Sequence, residues 1–304
     1  MTAAVHSTRA TLLMVLSTLC FAGMAITIRE ASAQLHAFEI AFFRNLFGLL
    51  FALPLLLHTG VHILRTKRLG LYFLRCVIGL SAMLCGFWSL VHLPLAQAIA
   101  LSYTTPLFVT IGAVLVLGEV VRIRRWSAII VGFLGALIIL RPGYAAVSFP
   151  AMIALASAAL SASAAISIKF LSRTEPANAI VVYMVLIMTP LSLIPAVPVW
   201  IWPSASIWPW LVLTGFLGTA GHWALTRAYQ LGDVSALQSI NFLQLPVVAA
   251  LAWWLFGERV DQWTIIGALV IFTSTAYIAH REAVLARRIT IDEQAGRDST
   301  TAQR

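Results

Sequence analysis

The sequence predicts an all-α integral membrane protein, with ten transmembrane helices arranged as two inverted five-helix repeats around a central cavity. Three observations lead there. Of 304 residues, 61% are hydrophobic and only 10% charged, with a mean hydropathy of +0.93, whereas a soluble domain carries about 25% charged residues. A long motif occurs twice: Pro106 to Trp126 reads PLFVTIGAVLVLGEVVRIRRW and Pro246 to Trp263 reads PVVAALAWWLFGERVDQW. Each copy sets a proline in an apolar run, a Gly-Glu pair about three turns later, and then a tryptophan. Lysine and arginine load every second short loop, the pattern of cytoplasmic loops in membrane proteins.

The apolar runs long enough to cross about 30 Å of hydrocarbon lie at 9–28, 38–58, 70–90, 95–117, 125–141, 147–170, 177–200, 208–230, 234–256 and 262–280. The first could be a cleaved signal, since Ala31-Ser32-Ala33 resembles a processing site. Its length and the intervening Arg29-Glu30 favour a retained span. The repeats are expected at 1–143 and 144–282, with a polar cytoplasmic tail at 283–304.

Arg65, Lys67 and Arg68 follow span two, Arg122, Arg124 and Arg125 span four, Lys169 and Arg173 span six, and Arg281, Arg287 and Arg288 span ten; Arg227 ends span eight. The opposite loops hold only Arg29, Arg141 and Arg259. Both termini are therefore expected in the cytoplasm of a bacterial-type inner membrane. The net charge of +9 follows this loop pattern, so nucleic acid is not an expected partner. Trp200, Trp202, Trp208 and Trp210 mark an outer interfacial belt. Cys20, Cys76 and Cys85 lie in apolar runs with no CxxC spacing and read as buried hydrophobes.

Five spans per half is an odd number, so the second half enters the membrane upside down. Inverted halves offer two arrangements of similar energy, each open to one side. The ten spans, the paired LGE and FGE motifs, Arg44-Asn45 in span two and the RPG at Arg141–Gly143 resemble the drug/metabolite transporter superfamily, and within it the EamA-type branch with its YddG-like amino-acid exporters. The resemblance covers roughly residues 9–282. It implies a helical basket whose cavity is lined by spans one to four and six to nine, with spans five and ten outside.

Polar groups in hydrocarbon are costly unless they face a cavity or a partner. Span nine carries Ser235, Gln238, Asn241 and Gln244 on one broad face, which suits either a substrate cavity or interhelical hydrogen bonds. Span four carries Gln97, Tyr103 and Thr104 before Pro106. Pro106 and Pro246 each remove a backbone donor and can act as gate kinks or static bends. Span six has small-xxx-small serine pairs, and span eight has Gly215, Gly218 and Gly221; both suit close helix packing. Trp88 and Trp223 are candidate apolar walls for a substrate, or lipid-facing rings. Arg44 is expected to meet a substrate carboxylate or to pair with Glu39 or Glu258 in a gate, while Arg75 can snorkel to the interface. His222 could couple protons or pack as a hydrogen-bonded histidine. Glu119 and Glu258 sit at helix C-termini, where the dipole disfavours anions, so each needs a cation, with Arg122 and an outer-face arginine as candidates.

No HExxH, GxSxG or GxxxxGK[ST] occurs, so neither an intramembrane enzyme nor an ATPase is expected. No cofactor or metal is called for. The expectation is a monomeric secondary transporter in contact with lipid, exporting amino acids or related small metabolites by alternating access. Uptake of a nucleoside-like or flavin-like metabolite is the alternative, and a passive channel or small-molecule sensor is the reading outside transport.

Overall fold

In hydrocarbon each backbone polar group must be satisfied internally, so an apolar chain of this kind has to fold as helices. The computed structural model describes residues 2–59, 66–117, 123–141, 148–171, 175, 177–231, 240–241 and 243–277. The helices are α1 (Thr2–Ala31), α2 (Ala37–Thr59), α3 (Leu69–His92), α4 (Leu95–Ser102), α5 (Thr105–Leu117), α6 (Ile123–Leu140), α7 (Phe149–Leu171), α8 (Ala177–Ala196), α9 (Trp208–Leu231), α10 (Gln244–Phe256) and α11 (262–277). No strand occurs among the described residues. Because α4 and α5 are two halves of one span and α10 belongs to the ninth, these eleven helices form ten spans. Leu12, Leu16 and Leu19 on α1, and Ile130, Leu134 and Leu137 on α6, are exposed in rows at helical spacing, as lipid-facing side chains are.

The helix pairings repeat under exchange of halves. α1 packs on α9 as α3 packs on α7, α2 on α9 as α3 on α8, and α5 on α7 as α1 on α10; the pair α2–α8 maps onto itself, and α4–α10 joins spans four and nine, which are each other's counterparts. A single hydrogen bond shows the same relation. Ser17 Oγ on α1 donates to the Gly221 carbonyl on α9 at 2.9 Å, and Ser157 Oγ on α7 donates to the Ala82 carbonyl on α3 at 2.8 Å. Spans five and ten cross at their glycines: a Cβ built on Gly135 would stand 2.8 Å from the Gly267 carbonyl, and one on Gly267 would stand 2.5 Å from that of Gly135. The fold is thus two inverted five-helix repeats.

The glycine row of span eight packs as its spacing predicts. Gly215 admits Phe47 of α2, Gly218 admits Arg44 of α2, and Gly221 admits Phe21 of α1. Small residues let helices approach where apolar burial against lipid gives no drive. The tryptophan-rich loop is more than a belt. Trp200 and Trp208 each lie 5.4 Å from the Phe43 ring, while Trp202 stays exposed. Gln34 accepts hydrogen bonds from the Ser204 backbone and hydroxyl, and Glu39 accepts one from the Ile201 backbone. Ile28, Leu35, Ile40 and Phe87 form a buried cluster with the Trp200 and Trp208 rings packed against it at this end of the bundle.

Span four breaks where Pro106 predicts a kink. Proline cannot donate to the carbonyl one turn back, that of Ser102. Thr105 Oγ1 donates to it instead, at 2.7 Å. Ser102 and Thr104 hydroxyls bond the neighbouring carbonyls of Ile99 and Leu101, each at 2.7 Å. Side-chain hydroxyls thereby replace the donors that the break removes.

Candidate functional site

A cavity of about 530 Å³ lies inside the bundle. It is lined by α1, α2, α3, α4, α7, α8 and α9, and runs from Leu90 near the tryptophan-loop end to Ile168 near the other. Met24, Met83, Met184 and Met188 form much of its apolar wall, and Ser102, Ser157 and Ser161 add hydroxyls. Arg44, Arg75 and His222 also line it. His222 Nδ1 lies 3.1 Å from the Gly218 carbonyl, and Phe21 meets its ring edge-on.

The two arginines enter from opposite ends of the membrane and turn toward mid-depth. Arg44 is about 10 Å into α2 from the tryptophan-loop end, and Arg75 about 9 Å into α3 from the other. A Cβ on Gly218, midway along α9, would sit 2.9 Å from Arg44 Nε. One on Gly79 would sit 3.6 Å from Arg75 Nη1, which also lies 3.9 Å from Met188 Sδ. Arg75 therefore does not snorkel: it is 7% exposed and faces the cavity. Arg44 is 5% exposed and donates to Asn45 Oδ1 at 3.0 Å. Neither Glu39 nor Glu258, the expected gate partners of Arg44, pairs with it: Glu39 caps the Ile201 backbone and Glu258 pairs with Arg29.

That second pairing accounts for the Gly-Glu pair of the second copy. Gly257 adopts φ +66°, a left-handed conformation that costs glycine little. The chain reverses there, and the Glu258 N–H returns to the Ala252 carbonyl at 3.2 Å. Glu258 then reaches away from its own helix end. Its carboxylate meets Arg29 of α1 at 3.1 Å and accepts the Leu95 N–H, in the first turn of α4, at 2.8 Å. A carboxylate unfavourable at one helix C-terminus becomes favourable at another's N-terminus. Arg29 also bonds the Leu93 carbonyl, so one clasp ties spans one, three, four and nine at the tryptophan-loop end. Beside it a second cavity of about 410 Å³ is lined by Gln97, Arg141, Glu258, Asp261 and Thr264 among others. Arg141 pairs with Asp261 and lies over the Trp263 ring.

The other sequence candidates fall in several places. Tyr103, at the break in span four, donates to the Asn241 carbonyl at 3.1 Å, so that break touches span nine. Thr104 is buried and bonded to its own helix. Gln97 lines the second cavity, and Gln244 is half-buried outside the central lining. Trp88 stacks on His92, and Trp223 is exposed on the outer face of α9. Pro106 and Pro246 lie in the first turns of α5 and α10. Gln238, Glu119 and Arg122 lie outside the described residues. The sequence reading missed the cavity roles of Arg75 and the methionines, and left the partner of Glu258 unnamed.

Two copies of one family model, EamA-like transporter family, match residues 8–141 and 148–279. The chain belongs to this family and is a multi-pass membrane transporter of the drug/metabolite type. It is 32% identical to a riboflavin transporter of Vibrio cholerae, over 93% of this chain and 97% of that one. It is 30% identical to an S-adenosylmethionine uptake transporter of Rickettsia prowazekii, over 82% and 85%. It is 31% identical to a pseudopaline exporter of Pseudomonas aeruginosa, over 86% and 92%. A solved crystal structure has the same fold, with a TM-score of 0.64 and 19% identity over 92% of this chain and 98% of that one.

Proposed function

We propose that the chain is a secondary carrier that works by alternating access, with the central cavity as its substrate site. The observation that carries this reading is the exchange of packing between halves around a buried, partly polar cavity. Halves that can trade conformations can open the same site to either side in turn. The substrate is a small organic metabolite with an apolar body. The cavity's 530 Å³ falls within the range of small-molecule sites, about 300–1,000 Å³, and an amino acid would fill only part of it. This size, the methionine wall and the similarity to a riboflavin transporter support uptake of a flavin-like or nucleoside-like compound. Export of amino acids is the second reading, favoured by Arg44, whose guanidinium can hold a carboxylate bidentately.

Counterflow in proteoliposomes tests the proposal. Vesicles preloaded with an unlabelled compound should accumulate the labelled one transiently, for at least one of riboflavin, a nucleoside, their phosphate esters or an amino acid. Equilibration without overshoot for the whole panel would mean a channel, and no movement would mean neither.

The loop charges also support cytoplasmic termini. Reporter fusions after Lys67 and at the C-terminus should report cytoplasm, and a fusion at Ser204 periplasm. A periplasmic reading at the C-terminus would contradict that orientation.

A further inference from the structure

Among the described residues, the central cavity holds two arginines and no carboxylate beside them. Arg44 and Arg75 are both more than nine-tenths buried and both line the cavity. No acidic side chain is among its described lining residues. Of the five described carboxylates, four have other partners: Glu258 with Arg29, Asp261 with Arg141, Glu175 with Thr66 and Tyr72, and Glu39 with the Ile201 backbone; the fifth, Glu30, lies in the last turn of α1 and not in the cavity lining. Arg44 makes a neutral hydrogen bond to Asn45, and Arg75 meets a thioether sulfur. The Nε of each guanidinium is buried without an acceptor. An ion held in a low-dielectric site without a counter-charge is costly, and such residues inside membranes mark substrate or ion paths. Gly218 leaves room for the Arg44 guanidinium, since a Cβ there would sit 2.9 Å from its Nε.

We propose that the cavity selects an anionic member of the small-metabolite class proposed above, a flavin-like or nucleoside-like body that bears a carboxylate or phosphate, whose oxygens are received by Arg44 and Arg75 while its apolar body lies against Met24, Met83, Met184 and Met188. The inference rests on the cavity being the carrier's substrate site. A guanidinium fork presents parallel N–H donors that match a carboxylate or phosphate edge. The anion supplies both the missing charge and the missing acceptors, so binding removes a cost that the empty site carries. A neutral analogue of the same shape brings no counter-charge and only one acceptor oxygen in place of the two of a carboxylate edge, so it compensates the two guanidinium groups less.

The test uses benzoate, phenyl phosphate and neutral benzamide on the full-length protein in detergent. Cysteine replaces Ser102, a cavity residue, in a background without Cys20, Cys76 and Cys85, and a water-soluble thiol reagent reports occupancy. Benzoate or phenyl phosphate should slow labelling at a concentration at least tenfold below that needed for benzamide, and the better of the two identifies the oxyanion. Arg44→Gln and Arg75→Gln should each remove that preference; Arg44→Lys and Arg75→Lys, which keep the charge but lose the fork, should retain part of it. If a Gln variant elutes as aggregate, its Lys variant gives the reading. Equal protection by benzamide and the anions, or an anion preference untouched by every arginine variant, overturns the proposal. It does so without touching the carrier reading, which falls only if counterflow fails for every compound.

Discussion

Alanine at Gly135 or Gly267 is expected to lower the thermal unfolding midpoint sharply, whereas alanine at Gly70 leaves it unchanged. At the crossing of spans five and ten each glycine faces the other's backbone. The added methyl of Gly135→Ala would sit 2.8 Å from the Gly267 carbonyl and 3.0 Å from the Ile271 nitrogen. That of Gly267→Ala would sit 2.5 Å from both the Gly135 carbonyl and Ile139 Cγ1. A flexible side chain can swing aside, but a helix backbone cannot, so the helices must part. Overpacking of this kind costs about 1–3 kcal/mol, occasionally more. Gly70 has nothing within 4 Å and serves as the control. A midpoint for both crossing variants equal to that of Gly70→Ala would show that these spans do not meet there.

Breaking the Arg29–Glu258 clasp is expected to loosen the tryptophan-loop end and leave the rest of the bundle folded. Glu258 holds a cation on α1 and a backbone donor on α4 together. Glu258→Gln removes the charge, and Arg29→Ala removes both its cation and its bond to the Leu93 carbonyl. Both side chains are 20% exposed, so screening holds the direct energy of the pair to about 1 kcal/mol. The larger effect is on access. A cysteine at Leu90, in the cavity near this end, should be labelled several-fold faster in either variant. The double variant should be no faster than the singles, because they open one clasp. Additive effects, or none, would show that the two residues do not act together.

The spans, their pairing into halves and the break at Pro106 were legible in the sequence, because each rests on a local rule. Hydropathy over a membrane thickness marks the helices, proline lacks a donor, and a repeated Gly-Glu marks a repeated helix end. The Gly215, Gly218 and Gly221 row announced close packing for the same reason. What was hidden depends on contacts between distant segments. Nothing near Glu258 in the chain names Arg29 as its partner. Arg75 looked able to snorkel because only its depth was visible, and its contact with Met188 exists only once α3 and α8 are packed. Trp223 shares a helix with His222, yet one ring is exposed outside and the other lines the cavity, since successive residues on a helix face directions about 100° apart.

Reciprocal access to the two ends of the cavity tests the central claim most directly. Single cysteines at Leu90 and Ile168, near opposite ends of its lining, are placed in a background without Cys20, Cys76 and Cys85 and labelled in membranes with a water-soluble thiol reagent. A carrier with one site and alternating gates predicts opposite responses: Glu258→Gln should raise labelling at Leu90 and lower it at Ile168. A rise at both positions together would describe an open pore and contradict alternating access.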